Sequence, residues 1–217
     1  MRRFFAILLS CAVLGAAPAA AAGRRFFEFS SDFLQALHLC YWAADLQVSG
    51  RRPLMSLALS LDEQRQKLNQ AREILSVHEG QSSPDGRRAV AGLVNGIELF
   101  SLIATEDASD FNDMNTRAEL TQKMGDRQEQ REQAVAVMAL SVPYLTDALA
   151  GQPGLVTPEE AASLWKQATL FFGEDLAVGG ERASPILGEV EKLRRALRAL
   201  ADQKPGKKAD KNSSKSP

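Results

Sequence analysis

The stretch AVAVMALSVPYLTDALA, residues 134–150, is the most hydrophobic run after the N-terminal leader, and it decides the fold class. Val135, Met138, Val142, Leu145 and Leu149 recur at alternating steps of three and four, which places them on one seam of an α-helix, whereas a strand would alternate in twos. Val137, Leu140 and Tyr144 widen the apolar arc, so the segment predicts the central helix of a bundle. Pro143 lacks a backbone donor and predicts a bend in that helix.

The same periodicity extends in both directions. Toward the C-terminus, Thr157-Pro158-Glu159-Glu160 combines an N-cap, a proline at the first helical position and a glutamate at the third, and Ala161, Leu164, Trp165, Ala168 and Phe172 follow at helical spacing. Gly173 to Ala183 reads as a loop, and Ser184-Pro185 opens a last helix with Ile186, Val190, Leu193, Leu197 and Leu200 on its seam. Toward the N-terminus, a first helix is predicted from Ser31 to Val48 and a second from Pro53 to about His78, the latter with a seam of Leu54, Leu57, Leu61, Leu68, Ala71 and Leu75 interrupted by Gln64. A loop from Glu79 to Gly86 precedes a third helix, Arg87 to Thr105, whose central Gly96 implies close approach of a neighbour. A fourth helix from Ser109 to Met124 either ends at Gly125 or continues into the central one; Asp126 and Glu129 have capping-box spacing. The only strand-like alternation is Phe27-Glu28-Phe29. The expected fold is therefore all-α, a single bundle of six or seven helices over residues 23–203.

Residues 1–22 read as an export signal, with Arg2 and Arg3 as the positive region, Phe4 to Leu14 as the apolar region and an alanine-rich cleavage segment from Ala16. The expected location is periplasmic or secreted. Leu8-Leu9-Ser10-Cys11 only loosely fits a lipobox, since Leu9 is bulky where a small residue is usual, so anchoring through Cys11 is not expected. Cys40 is then the single cysteine of the mature chain, set among Leu39, Tyr41 and Trp42; no internal disulfide can form, and a buried inert thiol is expected.

Loss of Arg2 and Arg3 with the leader takes the 26 basic residues to 24 against 27 acidic, a net charge of −3. The tail from Lys204 to Pro217 carries five lysines against Asp210, or +4, which leaves −7 on residues 23–203. An acidic body offers no groove for phosphates, so no nucleic-acid partner is expected. The tail lacks large apolar residues and should be disordered, with at most weak electrostatic contact to an anionic membrane.

Residues able to carry chemistry are few. His38 and His78 are the histidines; His38 and Cys40 point to different sides of a helix, and no haem-attachment motif exists. His38 reads as a hydrogen-bonded core residue and His78 as a surface residue at a helix end. The run Glu106, Asp107, Asp110, Asn112, Asp113 and Asn115 is the densest set of oxygen ligands, a candidate for calcium through Asp107, Asp110 and Asp113, yet it lacks the glycine that a calcium loop needs for its sharp turn. Glu98, in the apolar third helix, is the one acid placed to act as a buried general acid on peptidoglycan or another glycan. The favoured reading needs no cofactor or metal. It is a non-catalytic adaptor or scaffold that binds an envelope protein or cell-wall component, with Phe26, Phe27, Phe29, Tyr41 and Trp42 as candidate partner-binding residues. A glycan-cleaving enzyme using Glu98 and a small-ligand or metal carrier are the alternatives.

Overall fold

Apolar residues at helical spacing recur in every segment, and each such segment is a helix. The computed structural model describes residues 2–45, 54–80, 83–113, 117–152, 154–178 and 185–203. Among them the chain forms α1 (Arg2–Asp45), α2 (Leu54–Ser76), α3 (Pro84–Asp113), α4 (Arg117–Asp126), α5 (Gln128–Gly151), α6 (Pro158–Val178) and α7 (Pro185–Ala201), with no strand. The protein is all-α, as the periodicity indicated. The Lys-rich tail expected to be disordered lies outside the described residues.

α3 and α5 make the tightest pairing. Gly92 and Gly96, four apart, bare one face of α3, and α5 presses against it: a Cβ on Gly96 would stand 2.9 Å from the Met138 backbone nitrogen, and one on Gly92 would stand 3.2 Å from the Ser141 Cβ. Rising numbers on α3 meet falling numbers on α5, so the two helices run antiparallel. Met138, Val142, Leu145 and Leu149 of α5 are buried, as their seam predicted, and α5 stays helical through Pro143. Around this pair, Phe29, Phe33 and Leu37 of α1, Leu68 and Leu75 of α2, Leu164 and Phe172 of α6, and Ile186, Val190 and Leu193 of α7 complete one core. Each such side chain contributes about 1.5–3 kcal/mol on leaving water. A small satellite cluster joins Leu61 to Leu120, with Phe111 and Met124 against it.

Several boundaries shift for local reasons. The segment Phe26–Ser30 is helical rather than strand-like: Phe26, Phe29 and Phe33 stack edge to face at 5.5 and 6.0 Å along one helix side, and the Ser30 hydroxyl donates to the Phe26 carbonyl at 2.8 Å. α1 thus starts before Ser31 and extends back to Arg2. α3 begins at Pro84, not Arg87, because Ser83 caps it by accepting the Gly86 N–H at 3.3 Å. It also continues to Asp113 and absorbs the expected start of the fourth helix. α4 and α5 are separate, with Arg127 between them at φ −94° and no side-chain cap, so the Asp126–Glu129 box does not form. α6 extends past Gly173 to Val178. At its other end the capping box is complete, since the Glu160 N–H donates to Thr157 Oγ1 at 3.2 Å and the Thr157 N–H to Glu160 Oε2 at 2.8 Å. Gln64, the polar break in the α2 seam, is buried and donates to the Ala43 carbonyl of α1 at 2.7 Å.

Candidate functional site

The outer side of the α3–α5 pair carries an apolar stripe. With Gly92 and Gly96 turned toward α5, the 100° step of a helix brings Leu99 and Leu102 to the solvent side of α3. The same geometry, run in the opposite direction, brings Val137, Leu140 and Tyr144 to the solvent side of α5. Leu102 and Leu140 are 65% and 64% exposed, and Leu99 and Tyr144 are 45% and 38% exposed. Gly96 lies level with Met138, and Leu102 and Tyr144 each stand six residues beyond that crossing in opposite directions. The stripe therefore runs obliquely across both helices for about 18 Å at 1.5 Å per residue. Glu98 borders it, paired with Arg72 of α2 at 3.2 Å. Scattered single apolar residues on a surface mean little, whereas these four are aligned across two packed helices.

Glu98 is a half-exposed surface side chain with a guanidinium partner. That placement removes the water-excluded cleft which a general acid on a glycan requires, and it corrects the expectation of a buried acid.

The acidic run belongs to the end of α3, where the helix dipole disfavours negative charge, and its stabilisation comes from cations. Asp107 is fully buried and accepts from Arg127 at 2.6 Å and from Arg131. Asp110 accepts from Arg127 and from Lys123 at 2.9 Å, and Glu106 pairs with the Arg127 Nε at 3.0 Å. Arg131 also donates to the Met124 carbonyl at the end of α4. Hydrogen bonds from Arg127 and then Lys123 hold the Asp110 carboxyl below the usual carboxylate range. Asp113 is exposed and takes no part. The calcium reading is corrected accordingly: the carboxylate oxygens already face three cationic side chains, and no group of potential ligands among the described residues has the form of a metal site. The cluster is an ionic joint that fixes α3, α4 and α5 where the chain turns. Arg127 and Arg131, four apart and separated from the acidic run by α4, are its sequence signal only once the fold brings them back to it.

The two histidines do not converge. His78 is not a surface residue: its Nε2 bonds Asp32 Oδ2 of α1 at 2.7 Å and its ring meets Phe29 edge to face at 5.5 Å, so it ties the end of α2 to α1. His38 is held by rings rather than by the expected hydrogen bond. It stacks on Phe171 of α6 at 4.7 Å and 11°, lies near-parallel to Trp42 at 6.3 Å, and meets the edge of Phe172 at 5.4 Å. Its Nδ1 is buried with no hydrogen-bond partner among the described residues. Burial lowers its pKa, the Asp175 carboxylate opposes that, and Lys67 adds to it. Lys67 stands 4.3 Å over the Trp42 ring. Burial, with Asp175 beside it, pushes the Tyr41 phenol up to about 12.

Of the aromatic residues read as partner-binding, Phe26, Phe29 and Tyr41 fill the core, Phe27 is half-buried against it, and only Trp42 is open to solvent. Burial takes the first three away from any partner; exposed large apolar side chains occur instead as Leu99, Leu102, Leu140 and Tyr144 on α3 and α5, and as Leu59, Val77 and Leu170 elsewhere. Cys40 is fully buried, and burial raises its thiol pKa, as an inert thiol requires. No protein-family model matches the chain, and the comparisons with curated proteins and with solved structures return no match either.

Proposed function

We propose that the protein is a non-catalytic, exported helical-bundle adaptor that binds another envelope protein through the α3–α5 stripe. The observation that carries this reading is the alignment of Leu99, Leu102, Leu140 and Tyr144 on one outer face. Two antiparallel helices leave a shallow furrow between them, and side chains spaced by three and four along each wall suit an amphipathic helix of the partner laid along it. The backbone beneath is preorganised by the Gly96–Met138 contact, so little ordering entropy is lost on binding. The leader at residues 1–22 supports export, and the tail charge of +4 supplies a secondary, salt-sensitive attraction to anionic surfaces.

Site-specific photo-crosslinking in cells, followed by fractionation, tests both halves of the reading. A crosslinker at Leu102 or Leu140 should yield discrete adducts in the envelope fraction, and one at exposed Lys166 on α6 should not. The double variant Leu102→Asp/Leu140→Asp should lose adducts from a crosslinker at Tyr144 while its melting curve stays within about 0.5 kcal/mol of wild type, as surface substitutions do. Adducts equal at stripe and control positions, or found only in the cytoplasm, would refute it.

A further inference from the structure

We propose that His38 and the aromatic rings around it form a pH-responsive latch between α1 and α6, closed when the imidazole is neutral and released when it is protonated. The described contacts between α6 and α1 include the stack of His38 on Phe171, the edges of Phe172 against His38 and Tyr41, the bond of the Tyr41 hydroxyl to Asp175, and a hydrogen bond from Gln167 Nε2 to the Ser31 carbonyl at 3.1 Å. The His38 ring is therefore a principal part of the joint, and its protonation state decides whether the joint holds.

A neutral imidazole stacks on Phe171 as an aromatic ring. A protonated one gains a second N–H, and the Nδ1 position is buried with nothing among the described residues to accept from it. It also brings a charge into a setting where Phe171 and Phe172 have displaced water. The charged groups that face the cluster are known from each packed element. On α1 they are Tyr41, whose hydroxyl bonds Asp175, and Asp45; on α2 Lys67; on α6 Asp175. Lys67 opposes protonation and Asp175 favours it, and burial outweighs Asp175. The sign follows from linkage: the folded form binds its proton less readily than an exposed histidine, so the latch is fully closed above about pH 6.5 and weakens as pH falls below it. α6 stays packed on α7 and α7 on α5, so release is confined to the side of α6 that faces α1 and does not unfold the bundle.

Hydrogen–deuterium exchange on the full chain at about pH 7.5 and about pH 5, corrected for intrinsic rates, reads the latch directly. Amides of residues 168–175 should open measurably more at the lower pH, while those of α3 and α5 stay constant. His38→Phe keeps the stacked ring but cannot titrate, and its α6 exchange should be independent of pH. His78→Asn should retain the response. Asp175→Asn should move the midpoint to lower pH. In parallel, the carbon-bound ring protons of His38 should titrate by NMR with the same midpoint as the opening. A response that persists in His38→Phe, one abolished by His78→Asn, or a His38 titration with no accompanying change in α6 overturns the proposal.

Discussion

Gly96→Ala separates a close-packed α3–α5 contact from an ordinary helix glycine by the sign of its effect. On an open helix surface, alanine in place of glycine stabilises by about 1 kcal/mol. Gly188 in α7 offers that reference within the same protein, because a Cβ there would meet nothing within 4 Å. At Gly96 the added carbon would lie 2.4 Å from the Met138 Cγ and 2.9 Å from the Met138 nitrogen. The first contact can be relieved by a rotamer change, but the second is backbone. An ordinary separation of about 3.5 Å requires α5 to move by roughly half an ångström against everything packed behind it. Overpacking of this kind costs about 1–3 kcal/mol, and a backbone clash belongs to the upper half of that range. Offset by the propensity gain, Gly96→Ala should be net destabilising by about 1–2 kcal/mol, while Gly188→Ala stabilises by up to about 1 kcal/mol. Equilibrium urea denaturation with m-values compared across the three proteins measures both. A double-mutant cycle with Met138→Ala should recover only part of the loss, since it removes the Cγ and leaves the nitrogen. If Gly96→Ala stabilises as much as Gly188→Ala, the helices are farther apart than described and the register placing Leu102 and Tyr144 on one face falls with it.

Two further outcomes follow from the buried groups. Asp107→Ala leaves Arg127 and Arg131 charged and mostly buried without their shared partner, and it should cost about 3–5 kcal/mol in denaturant melts; added calcium should change neither the wild-type nor the variant melting temperature, and a calcium-dependent rise in the wild type would restore the metal reading. Cys40 should resist alkylation in the native protein and label rapidly in denaturant, as read by peptide mapping that resolves it from Cys11; native labelling at the rate of an exposed thiol would mean that the α1 core face is open.

The helices were legible because burial imposes a period on sequence. The seam Val135, Met138, Val142, Leu145 and Leu149, the Thr157–Glu160 cap and the demand of Gly96 for a close neighbour are local patterns with a single geometric solution, and each is realised. What periodicity does not encode is where a helix stops when polar residues continue it. α3 extends through Glu106, Asp107 and Asp110 because Lys123 of α4, Arg131 of α5 and Arg127 between the two helices neutralise them, a long-range cause that has no local trace. The helical Phe26–Ser30 segment shows the same limit from the apolar side: three residues of alternation look like a strand until Phe33 and Leu37 are seen to continue a helical face.

The candidate site was misplaced in sequence for a related reason. Composition marked the aromatic-rich start of α1 as the surface to offer a partner, but large rings are also the most effective core filler, and Phe26, Phe29 and Tyr41 are used that way. Leu140 and Tyr144 were read as widening a core stripe, since hydropathy alone cannot tell which edge of a broad apolar arc is covered. The deciding information is the position of the glycines. Once Gly92 and Gly96 fix which side of α3 touches α5, a broad arc on each helix divides into an inner part that is buried and an outer part that is not, and the two outer parts fall on the same side. The stripe is thus a consequence of the tight pairing. A sequence that needed only a stable bundle could place polar residues at Leu102 and Leu140 without loss of packing, so core packing alone does not account for their apolar character.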